Sequence, residues 1–90
     1  MELRVEGFVW LEWVVDKLAE KHAVEQDEVE QAFFNPPYRL RRSKAGKYLL
    51  YGRSMGGRYL FVVFAWEGGL VRIISARDML PGERRYYENK

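Results

Sequence analysis

The residues of this chain whose types and spacing suit chemistry are mostly arginines at the ends of strand-like segments. Arg72, Ser75 and Arg77 fall within VRIISAR, and Arg53 closes KYLLYGR. A guanidinium is a rigid fork of donors that matches a phosphate bidentately. Two of them beside a hydroxyl would hold a phosphodiester and offset the extra charge of its pentavalent transition state. Alternation predicts Val71, Ile73, Ser75 and Arg77 on one face of their strand with Arg72 on the other, and it groups Tyr51 with Arg53. Whether Arg53 and Arg77 share a side of the sheet depends on hairpin register, which the sequence leaves open. Pairing of these arginines with carboxylates of the first helix is the competing reading.

His22 is the single histidine, at the end of the first predicted helix on its apolar side. Its ordinary pKa suits proton transfer near neutrality, with Lys21, Glu83 and the tyrosines as substitutes. A packed residue or a helix cap is the bland alternative. One histidine and no cysteine leave scattered carboxylates without ligand spacing, so neither a metal nor another cofactor is expected. GRSMGGRYL leads into a strand instead of a helix and is no phosphate-cradling loop. Tyr86 and Tyr87 follow Arg84 and Arg85, a pattern suited to stacking on unpaired bases, although one tyrosine could equally anchor a short helix to the sheet.

Ninety residues make one domain, 1–90, and 48% hydrophobic residues suffice for one modest core. MELRVEGF carries two glutamates and no long apolar run, so neither a signal peptide nor a spanning helix is expected, and the cytoplasm is the default location. Net charge hides an asymmetry. Residues 1–34 hold nine acidic and three basic side chains, net −6, whereas residues 35–90 hold four acidic and twelve basic, net +8. The second half should carry a field that attracts a polyanion, unless it is simply a solvated surface.

The elements that must position these residues follow from periodicity. WLEWVVDKLAEKH sets Leu11, Val15, Leu18 and His22 on one helical stripe and Glu12, Asp16 and Glu20 on another. A second helix over about 26–34 has Val29, Ala32 and Phe33 inward and must stop at NPP. Its charge, EQDEVEQ, would be repelled by phosphates, which excludes a DNA-reading helix pair. Four strand-like segments then alternate with the turns SKAG, SMGG and EGG, an antiparallel meander in which 59–66, apolar on both faces, is central. LRVEGF could add an N-terminal edge strand. PGERRYYE reads as a short C-terminal helix, marginal alone, that must dock on something.

FVWLEWVVDKLAEKHAV resembles the N-terminal pattern of the BrnT toxins, and YGRS, LFVVF, VRIISAR and ERRYYE follow in that family's order and spacing over about residues 8–88. The resemblance implies an α+β, RelE-like fold with an antiparallel four-stranded sheet, two N-terminal helices and a short C-terminal helix. It also implies an endoribonuclease toxin of a type II toxin–antitoxin system. Cleavage would be metal-independent, by attack of the ribose 2′-hydroxyl on the adjacent phosphate, and a BrnA-like DNA-binding antitoxin would neutralise it. By motif, the proposed catalytic residues are Lys21 or His22 for proton transfer, Arg53 and Arg77 for phosphate and transition-state charge, and Ser75 for orientation. Arg72, Arg84 and Tyr86 would extend the RNA-binding surface. Two positions depart from the pattern. Leu11 replaces an acidic residue, and Ala23 replaces the glycine after the histidine, which costs about 1 kcal/mol if the turn needs positive φ. A non-catalytic RNA-binding module and a protein-interaction domain with a basic face are the rival readings. No membrane partner is expected, and a homo-oligomer and a toxin–antitoxin hetero-oligomer both stay open.

Overall fold

The change of hydrophobic period at the two prolines is the junction between helices and sheet in this computed structural model, which describes residues 3–89. In chain order the elements are β1 (Gly7–Val9), α1 (Glu12–His22), α2 (Gln26–Phe34), β2 (Arg39–Arg42), β3 (Lys47–Arg53), β4 (Tyr59–Glu67), β5 (Leu70–Asp78) and α3 (Pro81–Glu88). The sheet order is β1-β5-β4-β3-β2. Strands β2 to β5 form the antiparallel meander, and β1 is a fifth strand at the edge, parallel to β5. The N-terminal edge strand is therefore present, two residues beyond the middle of LRVEGF. The β3–β4 turn is closed by Gly57, whose φ of +92° only glycine adopts without strain, with its N–H donating to the Ser54 carbonyl at 3.0 Å.

Helices α1 and α2 pack on one face of the sheet. Val14 and Leu18 of α1, and Val29, Ala32 and Phe33 of α2, meet Leu50, Leu60, Val62, Phe64, Val71, Ile73 and Ala76 in a single core. The stripe expected on α1 is rotated. Leu11 precedes the helix and is exposed, and Val14 takes the inward position beside a half-buried Val15. Two adjacent valines fit either setting by periodicity, and packing against β5 selects between them. The acidic stripe of Glu12, Asp16 and Glu20 is solvent-exposed as expected.

The expected alternation along β5 does not survive. Val63 pairs with Ser75 but Phe64 pairs with Ile73, so Ile74 is an extra residue, a β-bulge. Before the bulge Val71 and Ile73 face the core; after it Ala76 does. Arg72, Ser75 and Arg77 consequently share the face away from α1 and α2, and Arg72 is not opposed to the other two. The physical reason is the core itself: uninterrupted alternation would drive Arg77 into the layer that holds Val71 and Ile73. The ammonium of Lys17 on α1 reaches the carbonyl of Ile74 at 3.4 Å, a partner for the backbone that the bulge withdraws from the ladder.

Candidate functional site

The open register is resolved by β4. Arg53 pairs with Tyr59 and Arg77 with Phe61, and these two positions of β4 lie two residues apart on one face. Arg53, Ser75 and Arg77 thus share the face opposite α1 and α2, with Arg72 further along it. The two guanidinium groups do not converge on Ser75. Each lies over an aromatic ring of β4, Arg53 over Tyr59 at 4.7 Å and Arg77 over Phe61 at 4.6 Å. Ser75 is half-buried beside Val63.

Helix α3 crosses this face and is fastened to it at both ends. In its first turn the Glu83 carboxylate accepts from Arg77 Nη1 at 2.8 Å and Nη2 at 2.9 Å, and also from the backbone N–H of Leu80 at 2.8 Å. The hydrogen bond from Arg77 holds the Glu83 carboxyl below its ordinary range and raises Arg77 in turn. At its end the guanidinium of Arg39 donates to the carbonyls of Tyr87 and Asn89, where the helix dipole favours a cation. Both tyrosines anchor the helix, where one anchor had been expected. Tyr86 packs edge-on against Tyr51 at 4.8 Å with Arg39 and Arg41 over its ring, and Tyr87 meets Tyr59 edge-on at 5.8 Å while donating to the Pro37 carbonyl at 2.7 Å. Burial raises the Tyr87 phenol pKa. The Tyr86 ring is therefore already engaged by Tyr51, Arg39 and Arg41 of the sheet.

Lys21 and His22 stand elsewhere. They end α1 on the helix side of the sheet, where Asp78, which follows Ala76 on the core face of β5, is held below the ordinary carboxyl range, chiefly by its hydrogen bond from Arg58 and to a lesser degree by the nearby His22. The strand β5 lies between them and the side chains of Ser75 and Arg77. What organises this side is Arg58, which sequence reasoning counted only as one more cation. Its Nε donates to Asp78 Oδ1 at 2.6 Å; Nη1 donates to the Ala23 carbonyl at 2.7 Å and to Glu28 at 3.2 Å; Nη2 donates to the His22 carbonyl at 2.9 Å and to Asp78 Oδ2 at 3.1 Å. All five guanidinium N–H groups are occupied. This clamp joins the end of α1, the start of α2 and the ends of β4 and β5. Its one sequence signal is the arginine directly after the β3–β4 turn.

Ala23 is in the left-handed region, φ 51° and ψ 38°, so the turn does need positive φ. Val24 N–H closes the helix end by donating to the Leu18 carbonyl at 3.1 Å.

A cavity of about 380 Å³ opens where the loop after α2 meets the end of α3, lined by Asn35, Pro36, Pro37, Arg53, Tyr59, Tyr87 and Glu88. Arg84 lies over the same Tyr59 ring at 3.9 Å, and the Tyr59 hydroxyl donates to Glu88 Oε2 at 3.1 Å. No carboxylate is within ion-pair distance of Arg53 or Arg84 among the described residues. Asn35 fixes the rim: its amide donates to the carbonyls of Arg53 and Ser54, both at 3.1 Å. Among the described residues no cluster of three or more histidine or carboxylate groups is placed to hold a metal ion, and no helix is long and apolar enough to cross a membrane.

Acidic helices on one side of a sheet, and a cationic, tyrosine-lined face on the other, define a small α+β protein with one surface suited to a polyanion. Residues 10–83 match the family described as the ribonuclease toxin, BrnT, of type II toxin–antitoxin systems. The chain belongs to that family. A crystal structure of the Brucella abortus ribonuclease toxin BrnT is similar to it, with a TM-score of 0.69 at 19% identity, covering 82% of this chain and 96% of that one. At that identity the likeness speaks for the fold, and it agrees with the expected α+β class. No curated protein matches the chain.

Proposed function

We propose that this member of the family cleaves RNA without a metal ion, in the cytoplasm, and is held silent by a BrnA-like DNA-binding antitoxin. The ribose 2′-oxygen attacks the adjacent phosphorus as the bond to the 5′-oxygen breaks, leaving a 2′,3′-cyclic phosphate and a 5′-hydroxyl. Charge that develops on the phosphoryl oxygens is met by Arg53 and Arg77, with Arg84 beside them and Ser75 orienting the linkage. Arg72 extends the contact to neighbouring phosphates, and Tyr86 holds α3 in place. The observation that carries this reading is the common face of Arg53, Ser75 and Arg77, set by the pairings across β4 and the bulge at Ile74. Substrate phosphate would replace Glu83 on Arg77, an exchange of one anion for another. The acidic segment of an antitoxin could occupy the same cations.

Incubating the purified chain with single-stranded RNA in the presence of EDTA tests it. Expected are products with cyclic phosphate ends, their loss in Arg77→Ala with the fold retained, and their persistence in His22→Ala, because that side chain lies across the strand. A chain that yields no product, or an Arg77→Ala variant of full activity, overturns the assignment. One observation favours the rival of binding without cleavage, namely the two-pronged hold of Glu83 on Arg77; salt-dependent RNA binding with no products would establish it.

A further inference from the structure

We propose that the cavity between Asn35–Pro37 and the end of α3 receives the reacting nucleotide linkage, with Glu88 as the general base that takes the 2′-hydroxyl proton and Tyr59 as its positioning residue. The proposal rests on the ribonuclease reading and adds to it a base on the same face as the arginines. Four carboxylates occur in the basic half of the chain. Asp78 is engaged by Arg58, and Glu83 by Arg77 and the Leu80 N–H. Glu67 ends β4, away from the turn where Arg53 and Tyr59 lie. Glu88 remains, exposed at the cavity wall, with one oxygen accepting from Tyr59 and the other without a hydrogen-bond partner among the described residues.

The surroundings fit a nucleotide. About 380 Å³ lies in the range of roughly 300–1,000 Å³ typical of small-ligand pockets. Pro36, Pro37 and the Tyr87 ring form an apolar wall. The Tyr87 hydroxyl is tied to the Pro37 carbonyl and its phenol is biased toward the protonated form, so it serves as structure. Arg53 and Arg84, both against the Tyr59 ring and both without a carboxylate partner among the described residues, offer donors to the phosphate. In the step itself the 2′-oxygen forms a bond to phosphorus as its proton passes to Glu88. The 5′-oxygen leaves and takes a proton from water, and Glu88 returns its own to solvent.

The test uses a short single-stranded RNA oligonucleotide and the whole chain. Glu88→Gln should lower kcat about a hundred-fold, the lower range for loss of a general base, while RNA affinity stays within a factor of about two. Wild-type kcat should fall on the acid side through one group, and Glu88→Gln should remove that limb. Tyr59→Phe removes the hydroxyl that orients the carboxylate, so kcat should fall about ten-fold with KM nearly unchanged, a split that a purely structural role would not produce. A wild-type profile flat on the acid side, or a folded Glu88→Gln variant cleaving at the wild-type rate, overturns the proposal. If Arg77→Ala is inactive in that second case, the ribonuclease reading stands without it.

Discussion

Arg77 at the end of β5 and Glu83 in the first turn of α3 are joined by two parallel hydrogen bonds of 2.8 and 2.9 Å, which close the open face of the sheet under the C-terminal helix. An eight-residue helix is marginal alone, so these contacts, with Tyr86 on Tyr51 and Arg39 on the last carbonyls, decide whether α3 is formed. The cation proposed to meet a phosphate is thereby also a structural anchor.

Replacing Glu83 by glutamine separates the two roles. The variant keeps an acceptor for the Leu80 N–H but loses the charge opposite Arg77. Because both partners are partly solvated, the expected loss of stability is about 1 kcal/mol, or a fall in Tm of roughly 4–8 °C for a domain of this size. RNA affinity should rise in the same variant, since phosphate no longer competes with a carboxylate. A thermal melt and an RNA titration at fixed salt check both; weaker RNA binding would show that Glu83 orients Arg77 for the substrate.

Acid sensitivity follows from the same pair and from Asp78. Hydrogen bonds from Arg77 and Arg58 hold the Glu83 and Asp78 carboxyls below their ordinary values of 4.5 and 3.8. Groups depressed in the folded state contribute stability that is present above those values and is lost as pH falls through the lower, folded ones. Stability should therefore decline from about pH 4.5 downward, and the double variant Glu83→Gln, Asp78→Asn should decline less steeply. Denaturant midpoints measured between pH 2 and 7 give both slopes, and equal slopes would mean that other carboxyls govern the decline.

Arg58 should be the most sensitive polar position. Arg58→Ala leaves Asp78 and Glu28 unpaired and removes the donors to the His22 and Ala23 carbonyls. With partial solvation discounted, a loss of about 2 kcal/mol is expected. Lysine should recover little, because one ammonium cannot reproduce a fork that reaches two carboxylates and two carbonyls. Chemical denaturation of the two variants measures this, and full rescue by lysine would reduce the clamp to a single charge contact.

Much of this architecture was legible because local rules agreed with one another. Val29, Ala32 and Phe33 shared a helical face that NPP had to end, and the glycine turns separated strands of which 59–66 was apolar on both sides. The bulge was not legible by counting alternate residues, although it left a trace: the adjacent Ile73 and Ile74 interrupt alternation, and reading straight through them would bury Arg77 among valines and isoleucines. Candidate site residues were read by type. Arg53, Ser75 and Arg77 do share a face, while Lys21 and His22 lie across β5 from it. Arg58 and Glu88 escaped notice, and Glu83 was read as a proton-transfer substitute instead of a partner of Arg77, because which side chains meet is set by register and by how α3 docks, which composition does not encode. Arg84 was noticed, but its place against Tyr59 was not.

The turn after α1 offers a gain of stability instead of a loss. Ala23 adopts φ 51° and ψ 38°, a conformation that crowds the Cβ of any L-residue, and its neighbour Val24 is buried with its N–H closing the helix. Glycine relieves that crowding but adds freedom to the unfolded chain, and at a helix end in the left-handed region the first effect prevails. Ala23→Gly should stabilise the domain by about 0.5–1 kcal/mol, raising Tm by roughly 2–8 °C. The Ala23 carbonyl would still accept from Arg58, so the clamp persists and the arginines on the other side of the sheet are untouched. Cleavage at the wild-type rate together with a higher Tm is therefore the expected pair of results. A lower Tm would mean that the alanine methyl makes a contact outweighing its backbone strain.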